Sequence, residues 1–282
     1  MKAIKDTGNN LIAALDPNDS IGVLDSYFPN ADFFTEFERF DRFLEKFKRE
    51  GNNLDYVSIC SPNYLHDAHI RYGLKIGAKV ICEKPIVLNP WNLESLEKSQ
   101  NEYTGEINNI MQLRLHPELI QLRESVKADT SNKIHNVKLK YISARGKWYH
   151  VSWKGEEEKS GGLASNIGIH FFDVLIWIFG RVISNKNSHN SSSKIKGTLN
   201  LEKAVVEWDL SINSEDLPSQ SIEKGDKTFK YLYMDGQEID LNYGFENLHT
   251  ESYYKILEGK GFGLSDIKPV IDLVYKIRND VA

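Results

Sequence analysis

The sequence predicts an α/β fold: a doubly wound parallel sheet over residues 1–113, then an α+β half, 114–282, built on a large, mostly antiparallel, open-faced sheet. Three observations carry this expectation. Short β-branched runs ending in polar loops alternate with helical stretches as far as about residue 113. From about His135 onward, strand-like runs follow one another with few helices between them. The chain has 282 residues, 40% of them apolar, which is enough for two domains.

Each element has a local reason. Residues 1–8 read as the tail of a helix, with Gly8 near its C-cap. Leu11-Ile12-Ala13-Ala14-Leu15 is an apolar strand closed by Asp16 and the helix-blocking Pro17. Phe37, Phe40, Phe43, Leu44 and Phe47 recur at helical spacing, which predicts an amphipathic helix over 36–49 with those side chains in the core. Strands over 56–60 and 79–82 flank a helix over 65–76, Asn89-Pro90-Trp91 opens another helix, and 107–112 reads as the last strand of this half. In the second half, strands are expected over 137–143, 195–199, 205–212, 228–234 and 238–241. The polar, serine-rich stretch 185–194 reads as a solvated connection or hairpin tip, and the charge run 156–159 as a solvated loop. Two helices, 248–257 and 265–278, end the chain, the last expected to pack back on the first half.

Composition narrows the function. Lys and Arg number 35 against 40 Asp and Glu, a formal charge of −5 without a basic stripe, which argues against nucleic acid as a partner. The longest apolar run, 171–179, carries Asp173 and is shorter than a bilayer requires. No apolar segment opens the chain, so a cytoplasmic protein without a membrane partner is the expectation. Cys60 and Cys82 both end expected strands and read as buried thiols rather than a disulfide or a metal site. No metal is expected.

A dinucleotide-binding sheet opens with a strand and a glycine-rich turn that cradles the pyrophosphate at a helix N-terminus. No such turn follows a strand here, and Gly259-x-Gly261-x-Gly263 lies between helices. The sheet is therefore expected to lack its first, central strand, through a start placed downstream of the true one or a truncated product.

The chemistry gathers at strand ends, where open α/β sheets bind ligands. Asp16 can accept hydrogen bonds from ribose hydroxyls and would repel a 2′-phosphate, favouring NAD over NADP; an Asp before Pro17 is also an ordinary turn residue. Ser61-Pro62-Asn63-x-x-His66 follows the third strand; Asn63 can cap the next helix or bond a ribose, and a single histidine such as His66 is often structural. Glu83-Lys84-Pro85 follows the fourth strand. In Ser160-Gly161-Gly162…Asn166…His170…Asp173 the last three residues share a helix face, and an imidazole there suits proton removal from a hydroxyl, although a histidine on an apolar helix is more often a core residue. Arg114 can pair bidentately with a carboxylate, and Arg145-Gly146-Lys147-Trp148-Tyr149 with Trp153-Lys154 mixes aromatic and cationic groups as an anionic sugar would need.

A strand ending in Ser-Pro-Asn-x-x-His and another ending in Glu-Lys-Pro resemble the glucose–fructose oxidoreductase/inositol dehydrogenase (Gfo/Idh/MocA) family of NAD(P)-dependent sugar dehydrogenases. With the stretches around Arg114, Arg145 and His170, and the ending Leu248-His249-Thr250-x-Ser252-Tyr253…Gly261-Phe262-Gly263-Leu264, the chain is similar throughout to the branch that oxidises UDP-N-acetylglucosaminuronate at its 3″-hydroxyl. The resemblance implies a Rossmann-type first domain with NAD touched by Asp16, Ser61, Asn63, His66, Glu83 and Lys84. It implies that Lys84 holds and helps deprotonate the hydroxyl, that His170 is the base, and that Arg114, Trp148, Tyr149, Lys154, Asn166 and Asp173 meet the sugar. It further implies reoxidation of NADH by 2-oxoglutarate in some relatives, with Arg114 serving two carboxylates in turn, assembly into a homo-oligomer, commonly a tetramer, and a place in surface-polysaccharide synthesis. The family often has Asp-x-Gly-x-His where this chain has Asn166. The rival expectations are a dehydrogenase of another sugar or inositol, and a non-catalytic binding or assembly protein.

Overall fold

Short apolar strands alternating with amphipathic helices can bury both faces of a sheet only by placing the helices over it, and the first half does so. In this computed structural model, which describes residues 1–18, 21–241 and 243–280, the order is α1 (Lys2–Asp6), β1 (Ala13–Leu15), α2 (Ile21–Tyr27), β2 (Asp32–Phe34), α3 (Phe37–Arg49), β3 (Tyr56–Ile59), α4 (His66–Lys75), β4 (Lys79–Cys82), α5 (Pro90–Glu102) and β5 (Ile107–Asn109). Every pairing is parallel: β1 with β2, β3 with β4, β4 with β5. The strands form two sheets, β1-β2 and β3-β4-β5, so among the described residues β1 and β3 are both edges. The break falls where a doubly wound sheet of this order carries its central strand. Of the aromatic face expected of 36–49, Phe40 and Phe43 pack on Phe34 of β2 at 5.9 and 5.2 Å between ring centroids, but only Leu44 is fully buried and Phe37 is exposed, against the expected core position. At Gly73 an added Cβ would lie 2.9 Å from Val80 Cγ2, so α4 rests directly on the sheet. Cys82 is buried as expected, but Cys60 lies one residue beyond β3, where its side chain leaves the ladder and is exposed.

A 3₁₀ turn (Gln112–Leu115) and α6 (Pro117–Ala128) follow, then β6 (His135–Ser143), α7 (Lys147–Val151), α8 (Glu157–Ser160), a π-helical turn (Ala164–Gly168), α9 (Ile169–Phe179), β7 (Val182–Asn190), β8 (Lys194–Leu201), β9 (Ala204–Ser211), α10 (Ser219–Glu223), β10 (Thr228–Met234), β11 (Gln237–Ile239), α11 (Leu248–Leu257) and α12 (Leu264–Arg278). Six strands form one sheet in the order β11-β10-β6-β9-β8-β7, antiparallel except between β6 and β9. Val137, Leu139, Ile195, Leu199, Val206, Trp208 and Leu210 turn inward, while Lys138–Glu207 and Lys196–Asp209 pair across the other face. Period-2 alternation thus gives one buried face and one open face.

Two local expectations are corrected. Residues 182–190 form the edge strand β7, with its backbone paired to β8, and the hairpin tip is confined to the residues just after it. The charge run 156–159 is not a loop, because Glu157–Ser160 closes one helical turn. A third concerns length. From Glu157 to Phe179 three helical segments follow one another, interrupted at the left-handed Gly161, and by length and composition alone this stretch could cross a membrane. It is 72% buried within the protein, as a core helix is. Its α9 portion packs against α6 and α12, and α12 also contacts α5, β5 and β7. A single apolar cluster consequently runs from Ile59 in the first half to Ile277 at the end of the chain.

Candidate active site

Four segments converge at the carboxyl ends of β3 and β4. The loop after β3 places Asn63, buried, so that its side-chain amide donates to the Ser160 carbonyl at 2.8 Å. The loop after β4 carries Lys84, followed by a cis bond to Pro85, and Lys84 Nζ donates to the Asn166 carbonyl at 2.9 Å. Asn166 in turn donates its side-chain amide to the Tyr149 hydroxyl at 2.8 Å. Lys84, Asn166 and Tyr149 therefore form one connected line from the sheet to the second half. π-Helical turns such as the one holding Asn166 recur at functional sites.

Electrostatics single out the same place. Burial holds the Lys84 ammonium below the usual lysine range against the pull of Glu83, and the nearby Lys154 and Arg145 charges push it further down. His170 is desolvated, and burial with the Lys84 and His249 charges holds its pKa well below that of an ordinary histidine. It is thus neutral at pH 7, the state a proton acceptor needs. Its Nδ1 and the Ser165 hydroxyl are buried without a hydrogen-bond partner. Trp148 is exposed, Tyr149 buried, and Lys154 lies over the Trp148 and Trp153 rings at 5.4 and 5.6 Å. Beside this cluster an open cleft is lined by Tyr149, Lys154, Ser160, Gly162 and Arg278.

Other expected residues are held differently. Arg114 and Asp173 do not face the cleft as free groups. Both are buried and bind each other through Nε–Oδ2 at 2.8 Å and Nη2–Oδ1 at 2.6 Å, and Arg114 also donates to the Asp266 carbonyl at 2.9 Å. The guanidinium fork is filled from inside, which replaces the expected pairing of Arg114 with a substrate carboxylate. His66 is fully buried with its two ring nitrogens 2.7 and 2.8 Å from the carbonyl oxygens of Pro85 and Ser61, so it fastens the two strand-end loops together. Ser61 Oγ meets His69 Nδ1 at 2.9 Å. Asp16 Oδ1 accepts from the Asn18 backbone at 2.9 Å, the turn geometry open to it from the start.

Sequence reasoning missed one member of the cluster. His249, in the first turn of α11, meets Glu83 Oε1 at 3.0 Å. It stands inside the quoted C-terminal motif, but no strand-end context marked it.

These donors fit a dinucleotide in part. Asp16 follows β1 and carries a carboxylate suited to ribose hydroxyls, whereas both oxygens of Glu83, which follows β4, are already engaged by His249 and the Lys84 backbone N–H. The Asn63 amide is already committed to Ser160. Among the described residues no glycine-rich turn joins a strand to a helix.

Residues 2–105 match the family model for an oxidoreductase family, NAD-binding Rossmann fold, and residues 123–260 match that family's C-terminal alpha/beta domain. The crystal structure of the WlbA (WbpB) dehydrogenase from Thermus thermophilus, solved with NAD and UDP-GlcNAcA and also with NAD and alpha-ketoglutarate, is 42% identical in sequence. It superposes with a TM-score of 0.93 over 98% of this chain and 89% of that one. D-glucoside 3-dehydrogenase of Escherichia coli is 28% identical over 156 residues, 55% of this chain, and that match spans 44% of the relative's own length. Together with strand-end loops that carry Glu83 and Lys84 against His170, these likenesses show that the chain belongs to the GFO/IDH/MocA family of NAD-dependent oxidoreductases.

Proposed function

We propose that this protein oxidises the 3″-hydroxyl of UDP-N-acetylglucosaminuronate to a ketone. The observation that carries the reading is the cationic group of Lys84, Lys154 and Arg145, with Lys154 lying over the exposed Trp148 ring. A sugar ring stacks on an aromatic surface, and a uronate carboxylate is neutralised by cations that do not already hold one. Arg114, spent on Asp173, leaves that task to Arg145 and Lys154. The UDP-GlcNAcA complex of the Thermus relative supports the substrate, and the E. coli relative, named as a 3-dehydrogenase of glucosides, supports the position.

In this reading Lys84 donates a hydrogen bond to the reacting hydroxyl while Asn166 fixes its ammonium from behind. The neutral His170 accepts the hydroxyl proton. Asp16, Ser61, Asn63, His66 and Glu83 shape the dinucleotide side, Tyr149 and Asn166 line the sugar side, and Asp173 acts from the core through Arg114. NAD, when bound, supplies the hydride acceptor.

The alpha-ketoglutarate complex of the Thermus relative supports in-place reoxidation, in which 2-oxoglutarate takes the hydride and leaves as 2-hydroxyglutarate. We further propose residues 1–113 and 114–282 as the cofactor and substrate domains, assembly as a homotetramer through the open face of the six-stranded sheet, and a role in making a surface-polysaccharide sugar.

The test is incubation of the purified protein with NAD, UDP-N-acetylglucosaminuronate and 2-oxoglutarate, followed by mass spectrometry. A 3-keto sugar and equimolar 2-hydroxyglutarate are expected, with far less product from the neutral UDP-N-acetylglucosamine. Equal turnover of the two sugars, or none of either, would overturn the reading.

A further inference from the structure

We propose that His249 is a positioning residue for this reaction: by holding the Glu83 carboxylate it fixes the loop that aims Lys84 at the reacting hydroxyl. This rests on the sugar-dehydrogenase reading above. Glu83 and Lys84 are adjacent, and the two oxygens of one carboxylate are used from opposite sides. Oε1 meets His249 Nε2 at 3.0 Å, and Oε2 accepts from the Lys84 backbone N–H at 3.3 Å. The carboxylate therefore links α11 to the peptide that carries the lysine.

The helix that offers His249 is itself anchored to the sheet. One turn on, Tyr253 sits on the same face of α11, and its hydroxyl lies 2.5 Å from the Ser58 hydroxyl on β3. α11 thus grips two neighbouring parallel strands at once, β3 through Tyr253 and the end of β4 through His249. Its flank is held by α1, where Thr250 and Tyr254 donate to Asp6 at 3.3 and 2.8 Å and Lys2 donates to Asn247 at 3.0 Å. A helix held at so many points gives His249 little freedom, which is what a group must have to orient another.

The charges around His249 agree. The Glu83 bond raises its pKa above the ordinary histidine value, opposed by burial and by Lys84. Its charge reaches the active-site histidine too, since it helps hold His170 down. While His249 is protonated and Glu83 ionised, the pair is ionic and strong. As pH rises through the raised His249 value the imidazole loses its proton, and the contact weakens to a neutral hydrogen bond.

The test has two arms on the full chain. In the first, the C2 protons of the histidines are titrated by NMR in the wild type and in Glu83→Gln. The His249 titration is expected to move back toward the ordinary value in the variant, and an unmoved titration overturns the proposal. In the second, His249→Phe is expected to lower kcat on the order of 10–100-fold with a smaller change in KM. His249→Gln keeps a donor for Glu83, so it should recover most of kcat while losing the alkaline decline that follows the imidazole. A kcat for His249→Phe within about twofold of wild type overturns the proposal. Should the wild type not oxidise the sugar, the substrate reading fails by itself and the titration arm alone decides the role of His249.

Discussion

Arg114 and Asp173 close a two-pronged ion pair inside the core, at 2.8 and 2.6 Å, with both side chains less than a tenth exposed. The pair ties the segment after β5 to α9, the helix that carries His170, and Arg114 extends the tie to α12 through the Asp266 carbonyl. The pair therefore fixes the segment after β5, α9 and α12 to one another in the core.

Breaking that pair should unfold the protein before it touches specificity. Arg114→Met and Asp173→Asn are each expected to cost about 3–5 kcal/mol, because each leaves an uncompensated buried group. The double variant Arg114→Met/Asp173→Leu should recover much of the loss. Urea denaturation reads this directly, and a loss below about 1 kcal/mol in the single variants would show that the pair is not stabilising.

Lys84→Ala should lower kcat by about 10²–10⁴-fold and leave binding of the nucleotide sugar much less affected. The ammonium is fixed by Asn166 and acts on the hydroxyl as its proton departs, so its loss is felt in the rate. Titration calorimetry beside steady-state kinetics separates the two quantities. Turnover near that of the wild type would remove Lys84 from the mechanism.

His170 carries a pH signature in both rate and stability. Its folded pKa lies well below the ordinary value of about 6.5, through burial first and then through Lys84 and His249. The base therefore stays competent through neutrality, and the acid limb of the rate profile should fall at lower pH than a free imidazole gives. For folding, the unfolded chain binds the proton first, so this group costs stability as pH drops below about 6.5. In His170→Asn the acid limb should vanish with most of the rate, and melting temperature should fall less steeply over that window. An unaltered limb in the residual activity would assign the base to another residue.

Arg145→Met and Lys154→Met should each raise KM for the uronate sugar by about tenfold, in keeping with loss of one charge-assisted contact at a partly solvated site. The corresponding neutral sugar should be nearly unaffected. A parallel comparison of the two substrates in each variant is the check, and equal changes would mean that neither cation reads the carboxylate.

What the sequence made legible was what is local. Glu83-Lys84-Pro85 and Ser61-Pro62-Asn63 announce themselves because a β-branched run ends abruptly in polar residues, and the aromatic spacing of α3 needs no distant partner to be seen. Arg114 was misread because its partner lies 59 residues away and nothing near it in the chain shows that the guanidinium is buried. His249 was passed over for the same reason, being 166 residues from Glu83. β7 was hidden by its position: an edge strand with one face in solvent contains mostly polar residues, and only its ladder with β8 makes it a strand.

The apolar helical stretch that ends in α9 has a consequence for how the chain is made. Its apolarity matches that of a bilayer span; α6, already made, covers one side of α9, but two of its covers come later in synthesis, Trp208 of β9, whose ring meets Phe172 at 5.3 Å, and then α12. A growing chain that has released α9 but not β9 therefore leaves part of this helix uncovered, the kind of apolar surface that chaperones bind and that self-associates. Chains ending before β9 should therefore partition into aggregates or membranes, and those ending after β9 but before α12 should do so less.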